Sequence, residues 1–145
     1  MFILLSALRK YLVNTMIKVG QVGIGYWGPN LLRNLHHNKA CEIVGVVDLD
    51  SDRLNFVSSN YPYAQVSTDL NSILEDDNID AIIISTPANT HFEISMKCLE
   101  NGKNVLIEKP MATNSGEIDK ISNLSKEKNL VAMVGHTYIY NSAVR

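Results

Sequence analysis

Little in this sequence points to a metal, a disulfide framework or a charged polymer. Its only cysteines are Cys41 and Cys98. Both lie in apolar stretches without CxxC or metal-ligand spacing, so they read as two buried free thiols of a reducing cytosol, and no metal is expected. Surplus charge is also lacking: 13 Lys+Arg against 15 Asp+Glu leaves −2. That balance gives no electrostatic ground for nucleic acid or an anionic membrane as partner. No apolar run is long enough to span a bilayer. The run at the start of the chain has no positive segment ahead of it and is broken by Arg9 and Lys10. Met16 is followed at once by a clean strand pattern. Residues 1–15 are therefore expected to be an extension of doubtful status ahead of a natural start at Met16. A weak signal peptide or an interfacial helix is the alternative. Repeats, low-complexity tracts and linkers are absent as well. The 145 residues of the chain, 46% of them hydrophobic, suffice for one globular domain with a real core, expected in the cytoplasm.

From Met16 onward, short runs rich in Val and Ile alternate with longer amphipathic ones. Strands are expected at Ile17–Val22, 42–47, 64–67, 80–85, Asn104–Ile107 and 130–134. Between them, Leu31, Leu32 and Leu35 mark a helix over 27–38, and further helices are expected over 50–60 and, after an Asp69 cap, over 70–75. Thr90 and Glu93 stand at capping-box spacing and open a helix through residue 101. Phe92, Met96 and Leu99 form its inward stripe, and Gly102 sits where a C-terminal glycine belongs. Ile118, Ile121 and Leu124 mark the last helix. Strands alternating with helices imply an α/β fold: a Rossmann-type, doubly wound parallel sheet of about six strands in the order 3-2-1-4-5-6.

Gly23-Ile24-Gly25-Tyr26-Trp27-Gly28 is a G-x-G-x-x-G sequence. It gains force from its context, directly after a strand and opening a helix. Gly23 allows the tight turn, Gly25 lets backbone approach a pyrophosphate, and Gly28 lets helix and strand pack closely. First-turn N–H groups then face the phosphate oxygens, aided by the helix dipole. Pro29 fits that turn, where its missing donor costs little. Asp48 ends the second strand, 20 residues beyond Gly28. A carboxylate there accepts hydrogen bonds from the adenosine ribose and repels a 2′-phosphate, so NAD is favoured over NADP. Arg53 complicates this preference, because a nearby arginine accommodates such a phosphate.

Two more motifs stand at carboxyl ends of strands: Ser85-Thr86-Pro87-Ala88-Asn89-Thr90-His91 and Glu108-Lys109-Pro110. Together with GIGYWG and the late VGHTY, they resemble the Gfo/Idh/MocA oxidoreductases. The resemblance runs from Met16 to Arg145, over that family's N-terminal domain. It implies that Lys109 is catalytic, lying near the nicotinamide and the reacting carbon, where an ammonium can hydrogen-bond a developing alkoxide. Partial burial of Lys109 is expected. Glu108 is expected to position the nicotinamide ribose or hold Lys109 by charge, and Pro110 to follow a cis bond. Thr86, Pro87 and Asn89 resemble the family's cofactor-contacting loop. The cofactor-binding set is thus Gly23, Ile24, Gly25, Tyr26, Trp27, Gly28, Asp48, Arg53, Thr86, Pro87, Asn89, Glu108 and Lys109. Trp27 is read as packing beside the turn. His91 is read as a first-turn helix residue, His36 and His37 as polar-face residues. His136 and Tyr138 are read as able to reach the mouth of the site.

Family members continue into a substrate-binding α/β domain, of which residues 138–145 would be the start and 16–137 the preceding NAD(P)-binding unit. The expected function is therefore the nucleotide-binding half of an oxidoreductase acting on a sugar or nucleotide sugar, inactive as this piece, in a parent that is a homo-oligomer. The GYWGPN turn looks most like the UDP-N-acetylglucosaminuronate 3-dehydrogenase branch. A non-catalytic NAD(H)-binding module and a methyltransferase using S-adenosylmethionine are the competing readings.

Overall fold

The computed structural model describes residues 16–143. The expected extension over 1–15 lies outside them, as do 144 and 145. Six parallel strands form one sheet: β1 (Ile17–Val22), β2 (Cys41–Val47), β3 (Gln65–Ser67), β4 (Ala81–Ile84), β5 (Asn104–Ile107) and β6 (Ala132–Val134). Their order is β3-β2-β1-β4-β5-β6, as expected. The helices are α1 (Gly28–His37), α2 (Ser51–Asn60), α3 (Asn71–Leu74), α4 (His91–Glu100) and α5 (Ser115–Glu127), with short 3-10 turns at Ala88–Thr90 and Thr137–Tyr140. The expected ends are off by one residue at most, except at β6, which begins at Ala132 rather than 130.

Strands apolar on consecutive residues are covered on both faces, and two clusters fill those faces. One gathers Ile24, Leu32, Ile43, Val46, Val57, Tyr61 and Ala64 against α1 and α2. The other joins Ile82, Ile84, Val105 and Ile107 to Ile73, Leu99 and Ile121 from α3, α4 and α5. Leu32 and Ile82 lose all exposure to water, each worth roughly 1.5–3 kcal/mol of hydrophobic stabilisation.

Helix ends follow local side-chain chemistry, but not always at the expected residues. Asp50 caps α2, its carboxylate accepting from the N–H groups of Asp52 and Arg53. Asp69 accepts from Asn71 N–H at 2.9 Å, ahead of α3. The capping box expected at Thr90 and Glu93 does not form. The Thr90 hydroxyl donates to the Pro87 carbonyl and also lies 2.7 Å from Thr86 Oγ1, because a 3-10 turn precedes the helix, and Glu93 pairs with Lys97 at 2.8 Å. A related arrangement opens α5: Asn114 accepts from Glu117 N–H, and the Glu117 carboxylate reaches back to Thr113.

The inward faces also differ. His91, Ser95, Cys98 and Leu99 are the buried residues of α4, with Phe92 and Met96 only partly covered at its flank. On α5, Ile121 is buried and Leu124 partly so, while Ile118 stays 41% exposed. Spacing identified these helices but left their rotation about the axis free by one position. Of the two thiols expected to be buried, Cys98 is, whereas Cys41 at the start of β2 is half-buried. His36 does more than sit on a polar face. Its ring stacks on Tyr63 and meets Tyr61 edge-on, and its Nδ1 lies 2.6 Å from the Tyr63 hydroxyl.

Candidate functional site

Each of several strands hands its neighbour one more hydrogen bond just past its end. Gly23 donates to Val47 O, Asp48 to Ser67 O, Ser85 to Val22 O, Glu108 to Ile84 O and Gly135 to Ile107 O. The residues that follow β1, β2, β4 and β5 therefore line up along one edge of the sheet, the carboxyl edge. The order in which strands are added reverses between β1 and β4, and a crevice opens where the loops of such neighbours part. A cleft of about 930 Å³ lies there.

Of the expected cofactor residues, Gly23, Gly25, Tyr26, Trp27, Asp48, Arg53, Thr86, Pro87, Glu108 and Lys109 line this cleft. Ile24, Gly28 and Asn89 do not. Ile24 is 3% exposed and belongs to the core, though its N–H donates to Asp48. Gly28 is buried at the first turn of α1. Asn89 is exposed outside the cleft. His136 and Tyr138 are also exposed and are absent from the lining.

The turn after β1 has the backbone the motif calls for. Gly23 has φ +91°, and a Cβ there would meet the Ser85 and Thr86 backbone at 2.8 Å. At Gly28 a Cβ would meet the Gly23 carbonyl at 2.6 Å. Gly25 differs: a Cβ there would point into open space, its nearest neighbour Arg53 Nη1 at 3.9 Å. No side chain caps α1, and no acidic residue occupies its first turn. A helix start without a cap, beside an empty glycine face, suits a phosphate group on both electrostatic and steric grounds. The residues present thus fit the diphosphate of a dinucleotide.

Asp48 is 8% exposed and its carboxylate is already engaged. One oxygen accepts from Ile24 N–H at 2.6 Å and the other from Asp50 N–H at 2.9 Å. Arg53 stands 3.5 Å from Asp48 and 3.4 Å from Asp50. Its guanidinium is therefore answered by two carboxylates.

A family model described as "Oxidoreductase family, NAD-binding Rossmann fold", that of the Gfo/Idh/MocA proteins, matches residues 17–136. The chain belongs to the Gfo/Idh/MocA oxidoreductases. It is 31% identical to 4-carboxy-2-hydroxymuconate-6-semialdehyde dehydrogenase of Sphingobium sp., over 86% of this chain and 40% of that protein. It is 31% identical to scyllo-inositol 2-dehydrogenase (NADP(+)) IolW of Bacillus subtilis, over 82% of this chain and 34% of that one. Among solved structures, GenD2 from gentamicin A biosynthesis, in complex with NAD, superposes with TM-score 0.83 at 28% identity. That match covers 86% of this chain and 36% of GenD2. The chain thus spans about two fifths or less of the length of these relatives.

Within this Gfo/Idh/MocA domain the loop after β5 departs from expectation. Lys109 is exposed rather than partly buried. Glu108 does not hold it by charge: Glu108 Oε2 accepts from the Lys109 backbone N–H at 3.1 Å. The Lys109–Pro110 bond is cis, as expected. Trp27 is half exposed at the cleft, meeting Tyr26 edge-on at 5.6 Å.

Sequence reasoning passed over Gln21, and it gave Ser85 and His91, the latter rightly read as a first-turn helix residue, no part in holding the turns. Gln21 is fully buried and donates to the carbonyls of Gly23 (3.3 Å) and Gly28 (3.0 Å) and to Ser85 Oγ (3.2 Å). Ser85 Oγ in turn donates to the Gly23 carbonyl at 2.7 Å. His91, the first residue of α4, is 1% exposed, with Nδ1 2.7 Å from Pro110 O and Nε2 2.8 Å from Thr86 O. The available signal was polarity out of place: a glutamine inside an apolar parallel strand is rare unless its amide is satisfied there. Among the described residues no helix is long and apolar enough to cross a membrane.

Proposed function

We propose that residues 16–137 bind NAD in this cleft, as the nucleotide-binding half of an oxidoreductase. Its reaction would pass hydride between the nicotinamide and a hydroxyl- or keto-bearing carbon of a sugar or nucleotide sugar. The observation that carries this reading is the uncapped start of α1 beside the open face of Gly25, facing a cleft whose wall holds the Asp48 carboxylate. The N–H groups of that turn hold the diphosphate, and Asp48 accepts from the adenosine ribose. Thr86 and Pro87 flank the nicotinamide end. When bound, the nicotinamide supplies the hydride acceptor or donor. Lys109 Nζ then hydrogen-bonds the substrate oxygen and moves its proton, a role that the exposure of Lys109 leaves open to incoming substrate. Family resemblance supports these roles for Lys109, Thr86 and Pro87; the geometry supports the diphosphate and ribose subsites.

NAD is favoured over NADP on charge. A 2′-phosphate beside Asp48 meets two carboxylates, and the nearby cation Arg53 already faces both. The test is calorimetric titration of the chain with NADH and NADPH. NADH should bind at least roughly tenfold more tightly, a factor equal to 1.4 kcal/mol, and Asp48→Ala should shrink that ratio. A chain that binds neither dinucleotide at millimolar concentration, while folded, overturns the reading. In the full-length protein, Lys109→Ala should lower turnover far more than NADH affinity, and an unchanged rate removes Lys109 from the chemistry.

A further inference from the structure

Of the buried titratable side chains that line the cleft, Asp48 and His91, the cofactor reading leaves His91 without a task. His91 lines the cleft, yet its ring is sealed from solvent and stands between two loops. Nε2 faces the carbonyl of Thr86, in the loop after β4. Nδ1 faces the carbonyl of Pro110, the residue after Lys109. Carbonyl oxygens only accept, so a ring nitrogen that carries a proton donates to the carbonyl it faces, and a neutral imidazole has one such N–H. Among the described residues, loops 85–90 and 108–114 share no hydrogen bond that does not pass through residue 91. The strands beneath them are joined by backbone, but the loop backbones above are linked through this imidazole.

We propose that His91 is a positioning residue that ties the Thr86–Pro87 loop to the Lys109 loop and so shapes the nicotinamide end of the cleft. The proposal rests on the cofactor reading above and adds a division of labour within the site. The diphosphate and ribose subsites are built on β1 and β2 and their turns, with Gln21 and Ser85 holding the glycine turn. The nicotinamide end is built on the loops after β4 and β5, with His91 holding them. A buried ring that only filled space would need no polar atom. Two short contacts to carbonyls from separate loops give its polarity a geometric purpose.

Two ligands separate the halves: NADH, and ADP-ribose, which lacks the nicotinamide. His91→Phe keeps a ring of similar volume and removes both ring nitrogens. It should weaken NADH roughly tenfold, about the worth of one hydrogen bond, while ADP-ribose affinity stays within about twofold. His91→Gln, which keeps an amide donor, should recover part of the NADH loss. Equal losses for both ligands, or an NADH affinity unchanged by His91→Phe, overturn the proposal. If His91→Phe has no cooperative unfolding transition, the same comparison is made with His91→Gln, and a loss no greater for NADH than for ADP-ribose overturns it. An unsubstituted chain that binds neither ligand refutes the cofactor reading and the brace with it. One that binds both, with no selective loss in the variants, refutes the brace alone.

Discussion

Three glycines separate backbone strain, steric clash and ligand clearance, because the structure gives each a different combination. Gly102 has φ +74°, with nothing within 4 Å of a Cβ built on it. Gly102→Ala therefore meets the left-handed penalty alone, roughly 1–2 kcal/mol. About 0.4–1 kcal/mol of that is offset by the stiffer unfolded chain. Gly23 has φ +91° and, in addition, three backbone atoms of Ser85 and Thr86 at 2.8 Å. Backbone cannot swing aside as a side-chain tip can, so overpacking adds about 1–3 kcal/mol. Gly25 is outside the left-handed region and faces open space, so Gly25→Ala should stay within about 0.5 kcal/mol of the parent. Its methyl group, however, enters the space through which a diphosphate approaches the start of α1. Urea unfolding followed by circular dichroism should rank stability as Gly25→Ala, then Gly102→Ala, then Gly23→Ala. NADH titration should rank the folded variants differently: Gly102→Ala binds like the parent and Gly25→Ala loses at least roughly tenfold. If Gly25→Ala binds NADH normally, the diphosphate does not lie there. If Gly23→Ala is no less stable than Gly102→Ala, the packing of this turn against β4 has been misjudged.

Further expectations follow from buried and hydrogen-bonded groups. Burial pushes the Cys98 thiol up to about 12, with Lys103 only partly opposing it, and raises Cys41 as well. A thiol reagent at pH 8 should therefore reach Cys98 only on unfolding, and rapid labelling of Cys98 in the native chain contradicts this. The Glu117 carboxyl is held below its usual 4.5, first by the hydrogen bond from Thr113 N–H. A lowered folded value means that the unfolded chain takes up the proton first, so the stability Glu117 provides is present above pH 4.5 and fades as pH falls below it. The gap in urea midpoint between the parent and Glu117→Gln should accordingly narrow from pH 7 to pH 3.5, and a gap that widens on acidification has the wrong sign. Lys103 is 4% exposed, its ammonium donating to the carbonyls of Asp76 (2.7 Å) and Ile79 (3.1 Å). Lys103→Met should cost about 2–3 kcal/mol in the same urea assay, and a loss under about 0.5 kcal/mol means that water replaces the ammonium.

Strand order and the place of the cleft were legible because they follow from few features. The apolar runs that end at Val47, Ile84 and Ile107 are continuous, which commits each to a sheet covered on both faces. The glycine triple then fixes where the chain turns from β1 into α1. Rotation of the outer helices was not legible. In α4 the alternatives differ by one residue, and His91 and Ser95 are polar, so a search for apolar stripes favours Phe92 and Met96. A capping box is equally a pattern of residue types, and it failed at Thr90 because Pro87 starts a 3-10 turn whose carbonyl captures the hydroxyl. Asp48 and Arg53 were both identified, but not that they face one another across 3.5 Å. That relation depends on α2 bringing residue 53 back over the end of β2, which no local pattern encodes.

The polar residues hidden along the carboxyl edge share one arrangement: each spends its hydrogen bonds on the backbone of a turn. Gln21 serves Gly23 and Gly28, Ser85 serves Gly23, Asp48 serves Ile24 and Asp50, and His91 serves Thr86 and Pro110. Turns that must leave N–H groups facing a ligand cannot satisfy themselves by continuing a strand or helix, so side chains take over the atoms that face inward. The cost is visible at Gln21. Its amide nitrogen must point at two carbonyls, which excludes the flipped orientation, and its Oε1 is then left without a partner among the described residues. A buried acceptor in that state costs about 1–3 kcal/mol. A leucine at this position would avoid that penalty but would leave the carbonyls of Gly23 and Gly28 without their shared donor, in the turn that has to keep its shape for a ligand. Stability alone would not select a glutamine there. A requirement for a preset turn does.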